Sequence, residues 1–245
     1  MSPLLQRIGR IVVILGGVGA LARCGGDGLT LPPDTRPAEI TKVKGDGQTG
    51  AAGAALPESL VVAVLDARGE PAVNRRVQFA LEEDITGAGV SPELVRTDEQ
   101  GEARAEWVLG AVAGPQAVVA TVQEVDGLTA RFVAEVGAGA AQQLAMVSGD
   151  GQEAAIGTPV IDSLVVVATD QFGNPVPDVT IEWDAAAGSV EPGSSTTGAD
   201  GRAATSWILG SSTGQQTATA SSTGLTGSPV TFTATAVPGS ATRLI

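Results

Sequence analysis

Apolar and polar residues alternate along several short stretches of this chain. The alternation has the two-residue period of a strand with one buried face. In "VTIEW", Val179, Ile181 and Trp183 face one way, while Thr180 and Glu182 face the other. The matching segment 104 residues earlier puts Val77 and Phe79 inward, with Arg76 and Gln78 outward. "GRAATSWILG" places Ala203, Thr205, Trp207 and Leu209 on one face, opposite Arg202, Ala204 and Ser206. "VTFTATA" sets Val230, Phe232, Ala234 and Ala236 against Thr231, Thr233 and Thr235. Outward threonines keep β propensity high without creating an apolar patch. Between these stretches lie turn signals: "DARGEP" and "DQFGNP", each with Asp, Gly and Pro, and "DEQG" and "GADG". The spacing predicts about seven short strands per hundred residues.

The same phrases occur twice. "TDEQGEARAEWVLG" (97–110) returns as "TGADGRAATSWILG" (197–210), and "GDGQTG" (45–50) as "GDGQEA" (149–154). "ESLVVAVLDARGEPAVNRRVQFAL" matches "DSLVVVATDQFGNPVPDVTIEWDA" at a spacing of 104 residues, and "GLTARFVAEVGAG" answers "GLTGSPVTFTATAVPG". The spacing drops from 104 to 100 along each copy, so the first copy carries four extra residues in an intervening loop. A repeat this long suits a complete small domain rather than a solenoid unit. The predicted fold class is all-β, with two tandem immunoglobulin-like sandwiches at 38–138 and 139–239. Residues 240–245, "SATRLI", are similar to "AAQQLA" at 140–145. Trp107, Trp183, Trp207, Phe79, Phe132 and Phe232 are the predicted core residues. Asp66, Asp170, Asp98 and Asp200 fall in turns, where capping of backbone N–H groups explains them.

Composition adjusts this picture. Hydrophobic residues make up 43% and aromatics only 3%, with no tyrosine, so Val, Leu, Ile and Ala must do most of the packing. The chain opens with Arg7 and Arg10 ahead of an apolar run from Ile11 to Leu21. That run is too short to span a bilayer and fits a secretory signal, here 1–23. Leu21-Ala22-Arg23-Cys24 resembles a bacterial lipobox, although Arg23 stands where a small residue is usual. It makes Cys24 the candidate lipid attachment site. Ordinary cleavage after Ala20-Leu21-Ala22 is the second reading. Residues 24–37, rich in Gly and Pro, read as a flexible tether. With a single cysteine, no internal disulfide can hold either domain.

Beyond residue 23 the chain carries 27 acidic against 11 basic residues. Such a surface disfavours nucleic acid. Histidine is absent, which removes the commonest general base and metal ligand. The glycine-rich "SGDG" and "GAGAA" lack the strand–loop–helix setting of a phosphate cradle and read as turns or interdomain links. Glu82, Glu83 and Asp84 form the best acidic cluster, short of the six or more oxygen ligands of a calcium site and without a counterpart in the second copy. The sequence therefore predicts no catalytic residue, no metal site and no cofactor.

"DQFGNPVPDVTIEW", "TGADGRAATSWILG" and "GLTGSPVTFTATAVPG" resemble the first group of bacterial immunoglobulin-like domains, found in the stalks of invasin- and intimin-type surface proteins. The resemblance covers about 200 of the 245 residues. It implies display at the cell surface and, in some members, adhesion to host cells. The expectation is a non-enzymatic, exported, lipid-anchored envelope protein acting as a spacer or adhesion module. Its partners would be the membrane, through the anchor, and protein or glycan at the cell surface. A carbohydrate or cell-wall binding module is the alternative, with Phe172 as the exposed aromatic. The oligomeric state stays open.

Overall fold

A computed structural model describes residues 35–239. The leader, Cys24, the tether up to residue 34 and the tail 240–245 lie outside the described residues. Strands of the first copy are β1 (Pro37–Lys44), β2 (Gln48–Ala51), β3 (Leu60–Asp66), β4 (Arg76–Leu81), β5 (Gly89–Ser91), β6 (Leu94–Arg96), β7 (Glu102–Val108), β8 (Gly114–Val122) and β9 (Thr129–Gly137). Those of the second are β10 (Gln143–Ser148), β11 (Gln152–Ala155), β12 (Leu164–Thr169), β13 (Thr180–Ala185), β14 (Ser189–Glu191), β15 (Ser194–Thr196), β16 (Arg202–Ile208), β17 (Gly214–Ser221) and β18 (Val230–Val237). No described residue is helical.

Four sheets result, ordered β1-β3-β7-β5, β2-β9-β8-β4-β6, β10-β12-β16-β14 and β11-β18-β17-β13-β15. No sheet mixes strands from the two halves, so the chain folds as two tandem immunoglobulin-like sandwiches. Nine strands per copy exceed the seven that turn spacing predicts. The reason is that two segments in each copy change sheets midway. β1 pairs antiparallel with β3, and its continuation β2 pairs parallel with β9 in the facing sheet. At the opposite edge β5 pairs with β7, and β6 with β4. The second copy repeats both crossings. Each edge of one sheet thus continues into an edge of the other, which shortens the open edges that promote strand-to-strand aggregation.

"GDGQ" makes the first crossing, within each domain rather than between domains. Gly45 has φ +89°, and a Cβ there would sit 2.4 Å from the Ser59 carbonyl oxygen; at Gly149 the distance to the Ser163 oxygen would be 2.5 Å. Asp46 accepts the Val133 N–H at 2.9 Å, and Asp150 accepts the Thr233 N–H at 2.7 Å. Gln48 donates to the Gly45 and Glu58 carbonyls and accepts the Glu58 N–H. Gln152 repeats all three bonds with Gly149 and Asp162.

Each sandwich closes on its own apolar cluster. The first contains Trp107, Phe79 and Phe132 with Leu60, Val62 and Val118; the second contains Trp207, Trp183 and Phe232 with Leu164, Val166 and Ile181. Each such side chain contributes about 1.5–3 kcal/mol by leaving water. Thr97 and Thr197, which open the repeated phrase, lie buried and hold the turn after β3 or β12. Thr97 donates to the Ala72 carbonyl and accepts the Arg75 N–H; Thr197 does the same with Val176 and Val179. The four-residue length difference falls between β4 and β5, where residues 82–88 answer 186–188.

Candidate functional site

Each copy has a proximal pole, where its first strand begins, and a distal pole, where its last strand ends. The distal pole of the first copy meets the proximal pole of the second, and this joint gathers the most specific polar geometry among the described residues.

Two backbone features build the distal side. Between β7 and β8 the chain turns through residues 110–114. Gln116 fixes this turn by accepting the Gly110 N–H at 2.9 Å and donating to the Val112 carbonyl at 2.9 Å. Beside it Gly53, at φ +75°, donates its N–H to the Gly110 carbonyl at 3.2 Å. The turn therefore presents the Ala111 carbonyl and the Ala113 N–H in a fixed orientation.

The proximal side is the turn "DQFGNP". Buried Asp170 organises it, as the sequence suggests for a capping residue. One carboxylate oxygen accepts the N–H groups of Phe172 (2.8 Å) and Asn174 (2.9 Å). The other accepts the Asn174 side-chain N–H at 2.9 Å and the N–H of Gly139, in the link between copies, at 2.8 Å. Burial works against ionisation, but the bonds from Asn174, Gly139 and Phe172 hold this carboxyl below its ordinary value.

Asn174 crosses the joint. Its Nδ2 donates to the Ala111 carbonyl at 2.8 Å, and its Oδ1 accepts the Ala113 N–H at 3.0 Å. One carboxamide thus satisfies a backbone donor and a backbone acceptor of the other domain. Phe172 lies over Gly53, where a Cβ would come within 2.8 Å of its ring. A groove of about 620 Å³ runs alongside, between Glu135 and Ala138 on one side and Pro175, Pro177 and Asp178 on the other.

The first copy carries Arg68 and Glu70 where the second has Phe172 and Asn174. There Arg68 turns back onto Asp66 at 2.9 Å, while Asp66 accepts the Arg68 and Glu70 N–H groups. Asp98 caps its own turn in the same way, through Gln100 and Glu102, and Asp200 through Arg202.

The other residues singled out in the sequence do not converge on a site. Trp107, Trp183, Trp207, Phe79, Phe132 and Phe232 are buried in the two cores. Cys24 lies outside the described residues. Glu82 pairs with Arg131 at 2.6 Å, a contact that lowers the Glu82 pKa and raises that of Arg131. Among the described residues no three His, Cys, Asp or Glu side chains gather to hold a metal. Phe172 is exposed, at 44%, as the sequence suggests, and one edge of its ring also lies against Gly53. Asn174 escapes sequence reasoning, because its partners are 61 and 63 residues away. The available signal is the contrast between "ARGE" and "QFGN" in otherwise matching turns.

No protein-family model matches the chain, and no curated protein matches it. Solved structures do. The Escherichia coli adhesin FdeC aligns at a TM-score of 0.54 with 18% identity, covering 82% of this chain and 63% of that one. The two chains share a fold, here the tandem immunoglobulin-like sandwich. It agrees with the resemblance to invasin- and intimin-type domains drawn from the repeated phrases. InvD of Yersinia pseudotuberculosis aligns at a TM-score of 0.49 with 19% identity, covering 84% of this chain and 60% of that one. The D0-D1 domain of intimin aligns at 0.33 with 15% identity, covering 81% and 95%. This chain thus spans less than two thirds of the FdeC and InvD structures.

Proposed function

We propose that this chain is a non-enzymatic protein of the bacterial cell envelope, whose paired immunoglobulin-like domains serve as a spacer or adhesion module. The joint carries this reading. Asn174 and Asp170 tie the second domain both to the distal turn of the first and to the link, so contact surfaces on the two domains keep a fixed relation. A spacer or adhesion module gains from that property, since freely hinged modules must give up their freedom when they bind a partner. The likeness to FdeC, itself an adhesin, supports a role at the cell surface.

In full, the reading runs from the membrane outward. Residues 1–23 direct export, the Cys24 thiol carries the lipid, and residues 24–37 act as tether. Domains at 38–138 and 139–239 then present a surface to protein or glycan partners. Fractionation of cells making the full chain tests the anchor: Cys24→Ser should move the protein from membranes to the soluble fraction, and unchanged retention contradicts anchoring. Attachment of bacteria displaying the chain, compared with bacteria lacking it, tests adhesion.

A further inference from the structure

The outer face of the sheet β10-β12-β16-β14 differs from its counterpart in the first copy. Where Glu39, Lys44, Arg104 and Glu106 face outward on the first, Gln143, Ser148, Ala204 and Ser206 stand on the second. The centre of the second face is apolar. Val165 and Val167 are half-buried on β12, flanked by Ala145 and Val147 on β10 and by Ala204 and Ile208 on β16. Val147 is 38% exposed and Ile208 41%. A chain with 27 acidic and 14 basic residues thus carries one sheet face whose middle is free of charge. Depletion of Lys and Glu from the centre of a patch is the compositional mark of a protein interface.

Two charges flank the apolar centre, and their placement selects the partner. Arg202 lies two residues before Ala204 on β16, and Glu191 pairs with Ser206, two residues after it. Among the described residues the Arg202 side chain forms an ion pair only with Asp200, at 4.0 Å, and Glu191 forms none. A two-fold axis lying in the interface and crossing β16 at Ala204 sets this strand antiparallel over its symmetry mate. Arg202 then comes beside Glu191 of the partner subunit, twice by symmetry, while the Val165 and Ala204 side chains meet their own mates.

We propose that this face is an isologous interface whose occupant is the same face of a second copy of this chain. The apolar centre supplies burial, and the two Arg202–Glu191 pairs fix the antiparallel register. Strands spaced about 4.8 Å apart and rising about 3.4 Å per residue give the four-stranded face roughly 400 Å² per copy, which suits a weak, reversible dimer. The proposal stands on this face alone and does not rest on lipid anchoring or adhesion.

Sedimentation equilibrium of the full chain, with Cys24 kept reduced, tests it. The wild-type chain should dimerise with a Kd of about 100 μM. Ala204→Arg introduces the residue that the first copy folds with at this position, Arg104, and should leave the chain monomeric up to about 1 mM. Arg202→Glu should weaken the dimer about tenfold, and adding Glu191→Arg should restore it, since the pairs re-form with their charges exchanged. Three results overturn the proposal. A wild-type chain that stays monomeric at about 1 mM assigns the face to a different protein. A dimer that persists in Ala204→Arg lies elsewhere on the surface. A double charge reversal that associates no better than Arg202→Glu alone excludes the two-fold pairing.

Discussion

The Asn174 side chain of the second domain donates to the Ala111 carbonyl of the first at 2.8 Å, across 63 residues of sequence. With the return bond from the Ala113 N–H, it makes the joint a defined contact rather than a loose link. The bond also depends on Asp170, which takes the second hydrogen of the same carboxamide. Joint, turn and link therefore form one hydrogen-bonded unit.

Asn174→Ala should free the Ala113 N–H and leave both cores unchanged. Each lost bond is worth about 0.5–1.5 kcal/mol. Hydrogen exchange at Ala113 should therefore quicken about tenfold, while core amides such as Phe232 keep their wild-type rates. Unchanged exchange at Ala113 would mean that the carboxamide does not protect it.

The joint should also loosen in acid. Asp170 is held below its ordinary value of 3.8 in the folded chain, so the unfolded chain binds its proton first as pH falls. Its stabilising contribution is complete above about pH 3.8 and is lost as pH drops through the folded value. Glu135 and Asp178 line the same groove. Exchange at Gly139, whose N–H points to Asp170, should be insensitive from pH 7 to pH 5 after correction for intrinsic rates, and should rise below pH 3.8. Asp170→Asn should abolish that acid transition.

Separate cores should melt separately. Trp207→Ala removes a fully buried indole from the second domain and should cost about 3–5 kcal/mol there. Calorimetry should then show two transitions, the earlier one belonging to the second domain. Trp107→Ala should reverse the order. A single shared transition in both variants would show that the domains unfold as one.

The paired glycines give a contrast. Gly53→Ala and Gly157→Ala meet similar backbone strain, at φ +75° and +69°, but only the first would bring a Cβ within 2.8 Å of Phe172. Gly53→Ala should therefore displace the ring and quicken exchange at Ala113, whereas Gly157→Ala should leave the joint untouched. Comparable effects at Ala113 would argue against the Phe172 contact.

Much of this architecture is legible in sequence because it is local. Alternation assigns Trp207 and Ile181 to the interior, and the Asp-Gly-Pro turns reveal the capping roles of Asp66 and Asp170. The sheet crossings are not legible from alternation. "GDGQ" reads as a turn or an interdomain link, and only tertiary packing shows Asp46 bonded to Val133 across 87 residues. Asn174 is hidden for the same reason. An asparagine in a turn beside a proline has a sufficient local explanation, and its partners across the joint are backbone groups of another domain, which leave no side-chain pattern.

Everything distinctive here depends on two separately folded sandwiches sharing one orientation through the Asn174 contact. Residual dipolar couplings measured on both domains at neutral pH test this directly. A single alignment tensor should fit residues 37–137 and 143–237 of the wild-type chain together, and Asn174→Ala should require two tensors. A wild-type chain that already needs two would contradict it.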